Sequence, residues 1–92
     1  MDICIGKVAH YYSHLGVAVL ELDSELHLGD HVLFLGHTTE LIQEVTSLEI
    51  NHHKVQFAGP GQEIAVKVID QVRTGDLVYR VAETTSMHQV PV

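Results

Sequence analysis

A five-residue turn, Ala58-Gly59-Pro60-Gly61-Gln62, constrains the fold more than any other segment of this chain. It separates two runs, 47–57 and 63–69, that are rich in β-branched and aliphatic residues. The proline removes a backbone amide donor and fixes one φ angle, while the glycines permit positive φ. Such a segment interrupts a regular helix or strand, so the pattern predicts a strand, a compact turn and a second strand.

Short apolar runs separated by Gly, Asp and Asn turns continue along the chain and predict an all-β domain. Closing such a sheet removes exposed edges, so the predicted fold is a small closed Greek-key β-barrel of six to seven strands. Residues 1–82 are expected to form this single domain, and 83–92 a polar tail. The predicted strands are 3–12, 15–22, 31–36, 38–50, 54–57, 62–69 and 77–81. Gly6 is expected at a bulge or a close backbone approach.

The run 38–50 is open to two interpretations, because its apolar spacing changes phase between Ile42 and Val45. Residues 40–48 contain i, i+3 and i+4 apolar spacings that would suit a helix. We favour a strand, since β-branched threonines occur in the run and no good helix stop precedes Asn51. A β-bulge would absorb the change of phase.

Composition limits the classes of partner and the cell compartment. Ninety-two residues suit one domain, and five Lys and Arg against twelve Asp and Glu give a formal charge of −7. Nucleic-acid binding depends on clustered cations, so strong RNA binding is disfavoured and DNA binding is not expected. The single cysteine, Cys4, excludes an intramolecular disulfide. No long apolar run indicates membrane insertion, and the expected location is cytoplasmic.

Eight histidines raise the question of a metal site. His10 and His14, like His27 and His31, are four residues apart, which would place both rings on one face only in a helix. No second cysteine and no H-E-x-x-H motif supports a site, so neither a metal nor another cofactor is expected. Cys4 lies on a predicted strand and is expected to be a buried structural thiol. No nucleophile motif is present, and the chain is not expected to be an enzyme.

Several segments together resemble the second domain of translational GTPases of the elongation factor Tu type. They are Ser47-Leu48-Glu49-Ile50 with the following Ala58-Gly59-Pro60-Gly61, then Gly29-Asp30-His31-Val32, and Arg73-Thr74-Gly75-Asp76-Leu77-Val78. Their order covers most of 6–81. The resemblance implies a β-barrel binding module that engages a protein or ribonucleoprotein of the translation machinery. The phosphate-binding G-x-x-x-x-G-K-[ST] loop is missing, so the chain is not itself a GTPase.

The same resemblance implies a binding site at Glu49, His52 and Glu63, where the family contacts the acceptor end of transfer RNA. Glu49 keeps the acid of the family, whereas His52 replaces an arginine and Glu63 an asparagine. Both replacements weaken attraction for a phosphate-bearing end, so binding of the transfer RNA end is disfavoured. Gly59 and Gly61 complete the expected surface, which comprises the loops 49–53 and 59–63.

Two other functions are consistent with the sequence. Ile5-Gly6-Lys7-Val8 and Gly29-Asp30 also resemble the carboxy-terminal domain of some collagenase-like peptidases. This second resemblance implies an accessory barrel subunit that positions a substrate or partner for a peptidase without performing chemistry. The third interpretation is a homo-oligomer whose exposed strand or tail mediates self-association.

Overall fold

The computed structural model describes residues 3–81, and every regular element in that range is a β-strand. The predicted all-β class is confirmed, while the predicted tail, residues 83–92, lies outside the described residues. Within 3–81 there is no helix with the length and apolar character needed to span a membrane. The ten strands are β1 Ile3–Tyr12, β2 Val17–Leu22, β3 Leu26–His27, β4 His31–Leu35, β5 Glu40–Glu44, β6 Glu49–Ile50, β7 His53–Lys54, β8 Phe57–Ala58, β9 Glu63–Lys67 and β10 Leu77–Val81.

The main sheet has eight antiparallel strands in the order β5-β4-β10-β1-β2-β9-β6-β7, and β3 pairs with β8 in a separate two-stranded sheet. The first and last strands of the described chain are neighbours, with Ile3 opposite Arg80. The predicted closed barrel of six to seven strands is wrong, because β5 and β7 are edges that do not pair. The strand number is higher because β3 was not predicted, the predicted strand 38–50 contains both β5 and β6, and the predicted strand 54–57 overlaps both β7 and β8.

Strand β1 is the long central strand, and two irregularities bend it. Its register shifts between Cys4 and Gly6 against β10, and between Val8 and His10 against β2. A Cβ atom on Gly6 would lie 2.2 Å from the backbone oxygen of Glu21. The predicted bulge and close approach at Gly6 are therefore both confirmed, and only a residue without a side chain fits there.

The core is formed by alternate residues of the main strands, which point to the inner face of the curved sheet. In β2, for example, Ala18, Leu20 and Leu22 are buried, while Val17 and Val19 are half-buried on the opposite face. This explains why the 17–22 run is almost entirely apolar. The buried apolar residues are Ile5, Val8, Ala18, Leu20, Leu22, Leu26, Val32, Phe34, Val45, Leu48, Ala58, Ile64, Val66, Val72 and Val78.

The run 38–50 is extended rather than helical, but it is not one strand. Strand β5 ends at Glu44, residues 45–48 are irregular, and β6 begins at Glu49. Val45 donates its N–H to the carbonyl oxygen of Asp30 at 2.8 Å and accepts from the N–H of Gly29 at 2.9 Å. The predicted bulge is therefore wrong here, since the phase of the apolar residues changes because one strand ends and another begins.

A buried glutamine connects the two parts of the open sheet. Gln43 lies on the edge strand β5, yet only 7% of it is exposed. Its Nε2 donates to the carbonyl oxygen of Lys67 at 2.8 Å, and its Oε1 accepts from the N–H of Ile69 at 2.8 Å. The side-chain amide thus supplies the donor and the acceptor that a neighbouring strand would have offered to the end of β9.

The turn before β10 is fixed by the carboxylate of Asp76, which is buried. Its Oδ2 accepts from the N–H of Arg73 at 2.8 Å, while its backbone oxygen accepts from Val8 at 2.8 Å. Gly75 returns a bond of 2.8 Å to the carbonyl oxygen of Val8. A Cβ atom on Gly36 would lie 1.9 Å from Asp76 Oδ1, so this glycine provides the space for the carboxylate.

We expect Gly6→Ala to destabilise the domain by about 2 kcal/mol or more, because the new methyl group meets rigid backbone. Gly59→Ala is the matched control, since its Cβ would meet only Gln62 Oε1 at 3.9 Å. The free energy of unfolding of each variant, from urea denaturation, checks this. An equal change in the two variants would contradict the close approach.

We also expect Gln43→Ala to lower the free energy of unfolding by about 1–2 kcal/mol, because the part-buried N–H of Ile69 and carbonyl of Lys67 lose their partner. Gln56→Ala, at an exposed glutamine, should change it by less than about 0.5 kcal/mol. Native-state hydrogen exchange gives a second measurement. The N–H of Ile69 should exchange faster in the Gln43 variant, and unchanged protection would exclude the proposed bridge.

Candidate binding surface

Two of the residues predicted to bind a partner, Glu49 and Glu63, lie on the outer face of the sheet. Ile64 and Val66 of β9 are buried, so Glu63 and Ala65 point outward. Glu49 of β6 is opposite Ala65 across the ladder. The two carboxylates therefore lie on the same face in diagonal positions, which are about 7–8 Å apart in an antiparallel sheet.

His52 is at the tip of the hairpin between β6 and β7. Asn51 and His52 both have positive φ, at 50° and 67°, as the two central residues of a type I′ turn do. Asparagine is common at such positions, but histidine there costs free energy that glycine would not. The ring of His53 is held by Asn51, with Nδ1 at 2.9 Å from its backbone oxygen.

Gly59 and Gly61 shape the turn that precedes β9, and their contacts are structural. Gly61 has φ of 85° and donates its N–H to the carbonyl oxygen of Leu22 at 2.9 Å. Gly59 donates to Oε1 of Gln62 at 2.7 Å, and Leu22 donates back to the carbonyl oxygen of Gln62 at 3.0 Å. The turn therefore joins no hairpin, and instead attaches the start of β9 to the end of β2.

Shallow clefts divide the predicted residues into separate groups. One cleft, of about 340 Å³, contains Glu63 and Gly61, whereas another, of about 260 Å³, contains Glu49. His52 and Gly59 line neither of them. The first is lined by Glu21, Leu22, Asp23, Gly61, Gln62 and Glu63, and the second by Val17, Ser47, Glu49, Lys54, Ala65, Val66 and Lys67.

The two clefts differ in charge. In the first, Glu21 is directly opposite Glu63 on the neighbouring strand, and Asp23 is close by. Lys7 lies beside Glu21, with its Nζ at 3.9 Å from Glu21 Oε1. In the second, Glu49 is opposite Lys54. The first cleft can therefore attract basic groups of a partner, because adjacent like charges favour any ligand that neutralises them.

Glu21 and the lysines of the second cleft, Lys54 and Lys67, were not among the predicted binding residues. Their placement depends on β2 pairing with β9 and on β6 pairing with β7 and β9. The alternation within 17–22 and 63–67 shows that Glu21 and Glu63 both point outward, but it does not show that these strands are neighbours. A third cleft, of about 230 Å³ between 38–41 and 70–73, contains none of the predicted residues.

Residues with metal-binding or nucleophilic side chains are dispersed. Across 3–81, no three His, Cys, Asp or Glu side chains come together in a way that could hold a metal ion. Cys4 is exposed, so its predicted burial is wrong, and its thiol lies 3.7 Å from the carbonyl oxygen of Gly6. His27 stacks on Phe57 with ring centroids 5.5 Å apart, and its Nε2 is 3.4 Å from Glu25 Oε1.

Comparison with known proteins gives a consistent group of relatives. The chain is 42% identical over 81 residues to an uncharacterized protease of Methanocaldococcus jannaschii and 41% identical over 80 residues to a collagenase of Porphyromonas gingivalis. These matches cover 87% and 85% of this chain, but the chain spans only about a fifth of the length of each relative. No family model matches the sequence.

A solved structure shows the same fold. It is the crystal structure of the carboxy-terminal domain of a Geobacillus thermoleovorans protein assigned to the U32 peptidases. The TM-score is 0.82 at 19% identity, and the match covers 87% of this chain and 93% of that domain. The chain has the fold of a U32 peptidase carboxy-terminal domain. A selenomethionine variant of the same domain gives a TM-score of 0.79 at 21% identity.

These matches correct the main functional interpretation of the sequence. The resemblance to the second domain of elongation factor Tu-type GTPases is wrong, and so are the translation-machinery, ribonucleoprotein and transfer RNA partners it implied. The motifs that carried it are turn residues, such as Gly61 with φ of 85° and Gly29 with φ of 91°. Unrelated β-folds need the same residues in their turns. The resemblance to collagenase-like peptidases is the one that the relatives support.

We expect His52→Gly to raise the free energy of unfolding by about 0.5–1 kcal/mol, because glycine adopts positive φ without the strain of a side chain. His53→Gly is the control, since this neighbour lies in β7 and should be destabilised by the loss of a strand side chain. Thermal and urea denaturation of both variants measure this. Destabilisation of the His52 variant would show that its ring makes a contact that outweighs the strain.

Proposed function

We propose that this chain is a non-catalytic accessory domain of a collagenase-like U32 peptidase, and that it positions a protein substrate or partner for a separate catalytic domain. The observation that carries the proposal is the extent of the sequence matches. They cover 83–87% of this chain but only 19–22% of relatives that are named protease or collagenase. A segment of this size leaves about four-fifths of each relative to contain the catalytic site.

The fold comparison supports an accessory role from a different direction. The Geobacillus domain covered by the match was crystallised as a separate carboxy-terminal domain, and 93% of it aligns with this chain. The arrangement therefore corresponds to a domain that folds apart from the rest of its protein. A domain with its own core can be attached to a catalytic domain and contribute recognition to it.

The surface that we assign to recognition is the outer face around β9. It includes Glu49 and Glu63 with the loops 49–53 and 59–63, which contain His52, Gly59 and Gly61. The opposed Glu21 and Glu63, together with the net charge of −7, favour a basic segment of a protein substrate or partner. A cytoplasmic location remains a prediction from the sequence.

A chimera tests this function directly. Residues 1–82 would replace the matched segment of the Porphyromonas gingivalis collagenase, and collagen cleavage would be compared with that of the deletion variant. We expect the chimera to cleave collagen and the deletion variant to lose most activity, because the domain supplies positioning of the substrate. A Glu63→Lys chimera should raise KM with little change in kcat, since the substituted residue affects binding alone.

Two results would contradict the proposal. Collagen cleavage by the isolated chain would show that the domain is itself catalytic. Full activity of the deletion variant would show that the matched segment has no part in positioning the substrate. The solubility and monodispersity of each protein must be measured first, so that loss of activity is not confused with misfolding.

A further inference from the structure

The outer side of three adjacent strands, β5, β4 and β10, carries apolar side chains where a solvated sheet face normally carries polar ones. Leu35, Ile42 and Leu77 are 39%, 60% and 42% exposed. Leu33 and Tyr79, which lie between the edges of this group, are half-buried. These five residues form the outer apolar face, and contiguous exposed apolar surface is common at interaction sites.

The strand register places four residues in one row across this face. Glu40 is opposite Leu35, Leu35 is opposite Leu77, and Leu77 is opposite Lys7. Over these four strands the row reads acid, apolar, apolar, base, and beyond Lys7 it continues through Glu21 of β2 and Glu63 of β9. A twofold axis that runs parallel to the strands, between two facing copies and between Leu35 and Leu77, reverses this order. The acid of one copy then faces the base of the other, so the two rows are complementary.

The next row strengthens the apolar character of the face. Ile42 is opposite Leu33, Leu33 is opposite Tyr79, and Tyr79 is opposite Cys4. This row carries no Asp, Glu, Lys or Arg. It adds apolar area beside the first row. It also brings no like charges together when two copies face each other.

Lys7 is available for a contact with a second copy. Its Nζ lies 3.9 Å from Glu21 Oε1, but the side chains are 59% and 52% exposed. An exposed ion pair at that distance contributes little stability, so the ammonium group can turn toward another carboxylate without a large cost. Glu40 is also exposed, on the edge strand β5.

We propose that two copies of this chain associate face to face through the outer apolar face, with Glu40 of each copy against Lys7 of the other. The contact is isologous, as expected of a twofold dimer. The row from Glu40 to Lys7 spans four strands about 4.8 Å apart, so the contact is only about 14 Å wide. A contact of this size is at the low end of specific interfaces, so we expect a dissociation constant on the order of 10–100 µM.

Sedimentation equilibrium of charge-reversed variants tests the arrangement. Lys7→Glu places two acids at the ends of the row, and Glu40→Lys places two bases there. Each variant alone should dimerise at least about fivefold more weakly than the original chain, because the twofold axis repeats the repulsion at both ends. A mixture of the two variants should form heterodimers, and the double variant should regain self-association.

Matched controls separate this surface from the effect of net charge. Lys67→Glu and Glu49→Lys make the same charge changes on the outer face around β9, outside the row, and should leave self-association within about twofold. Leu77→Ser should weaken the dimer without unfolding the domain, since Leu77 is 42% exposed. Circular dichroism and urea denaturation of each variant establish that the fold is retained.

Either of two outcomes would overturn the proposal. A chain that stays monomeric across a concentration range that brackets the expected constant does not use this face for self-association. A dimer that is equally stable in the Lys7 and Glu40 variants, and that shows no preference for the mixed pair, uses a different surface.

Discussion

The double hydrogen bond made by the side chain of Gln43 is the contact on which the shape of this domain depends. An open antiparallel sheet can bury one face only if it curls, and the curl brings the edge strand β5 toward the end of β9. Backbone groups at that junction have no strand to pair with. The buried amide satisfies the carbonyl of Lys67 and the N–H of Ile69 together, so the junction is held although the sheet is not closed.

Much of the architecture can be predicted from local sequence. The prediction fails where contacts between residues that are distant in the chain determine the structure. The boundaries of β1 and β10 agree with the predicted strands 3–12 and 77–81, because apolar runs there end at polar or glycine-containing turns. Gly6 was predicted correctly, since a glycine inside a strand pattern indicates a bulge or a close approach. The burial of Gln43 was not predictable, because only the end of β9, more than twenty residues away, makes a polar residue favourable at that position.

The candidate binding surface also combines features that local sequence predicts with features that depend on contacts between distant residues. That Glu63 points outward is clear from the alternation of 63–67, but that Glu21 lies opposite it depends on which strands are neighbours. The turn glycines were assigned to binding because their motif resembles a known domain. Their contacts with Leu22 and Gln62 show that the motif specifies a backbone conformation. These residues do not identify the relatives of the chain, because many β-folds need the same turns. The relatives were found only through similarity along almost the whole chain.

The pairing of Ile3 with Arg80 has a consequence for how such a domain can be built into larger proteins. Opposed residues of an antiparallel ladder have Cα atoms about 5 Å apart, so the chain enters and leaves the described fold at nearly the same point. The two segments that connect this domain to a larger protein would therefore lie close together. The fold is therefore suited both to terminal fusion and to insertion within a surface loop of another protein, because neither arrangement requires the host to separate the two connecting segments.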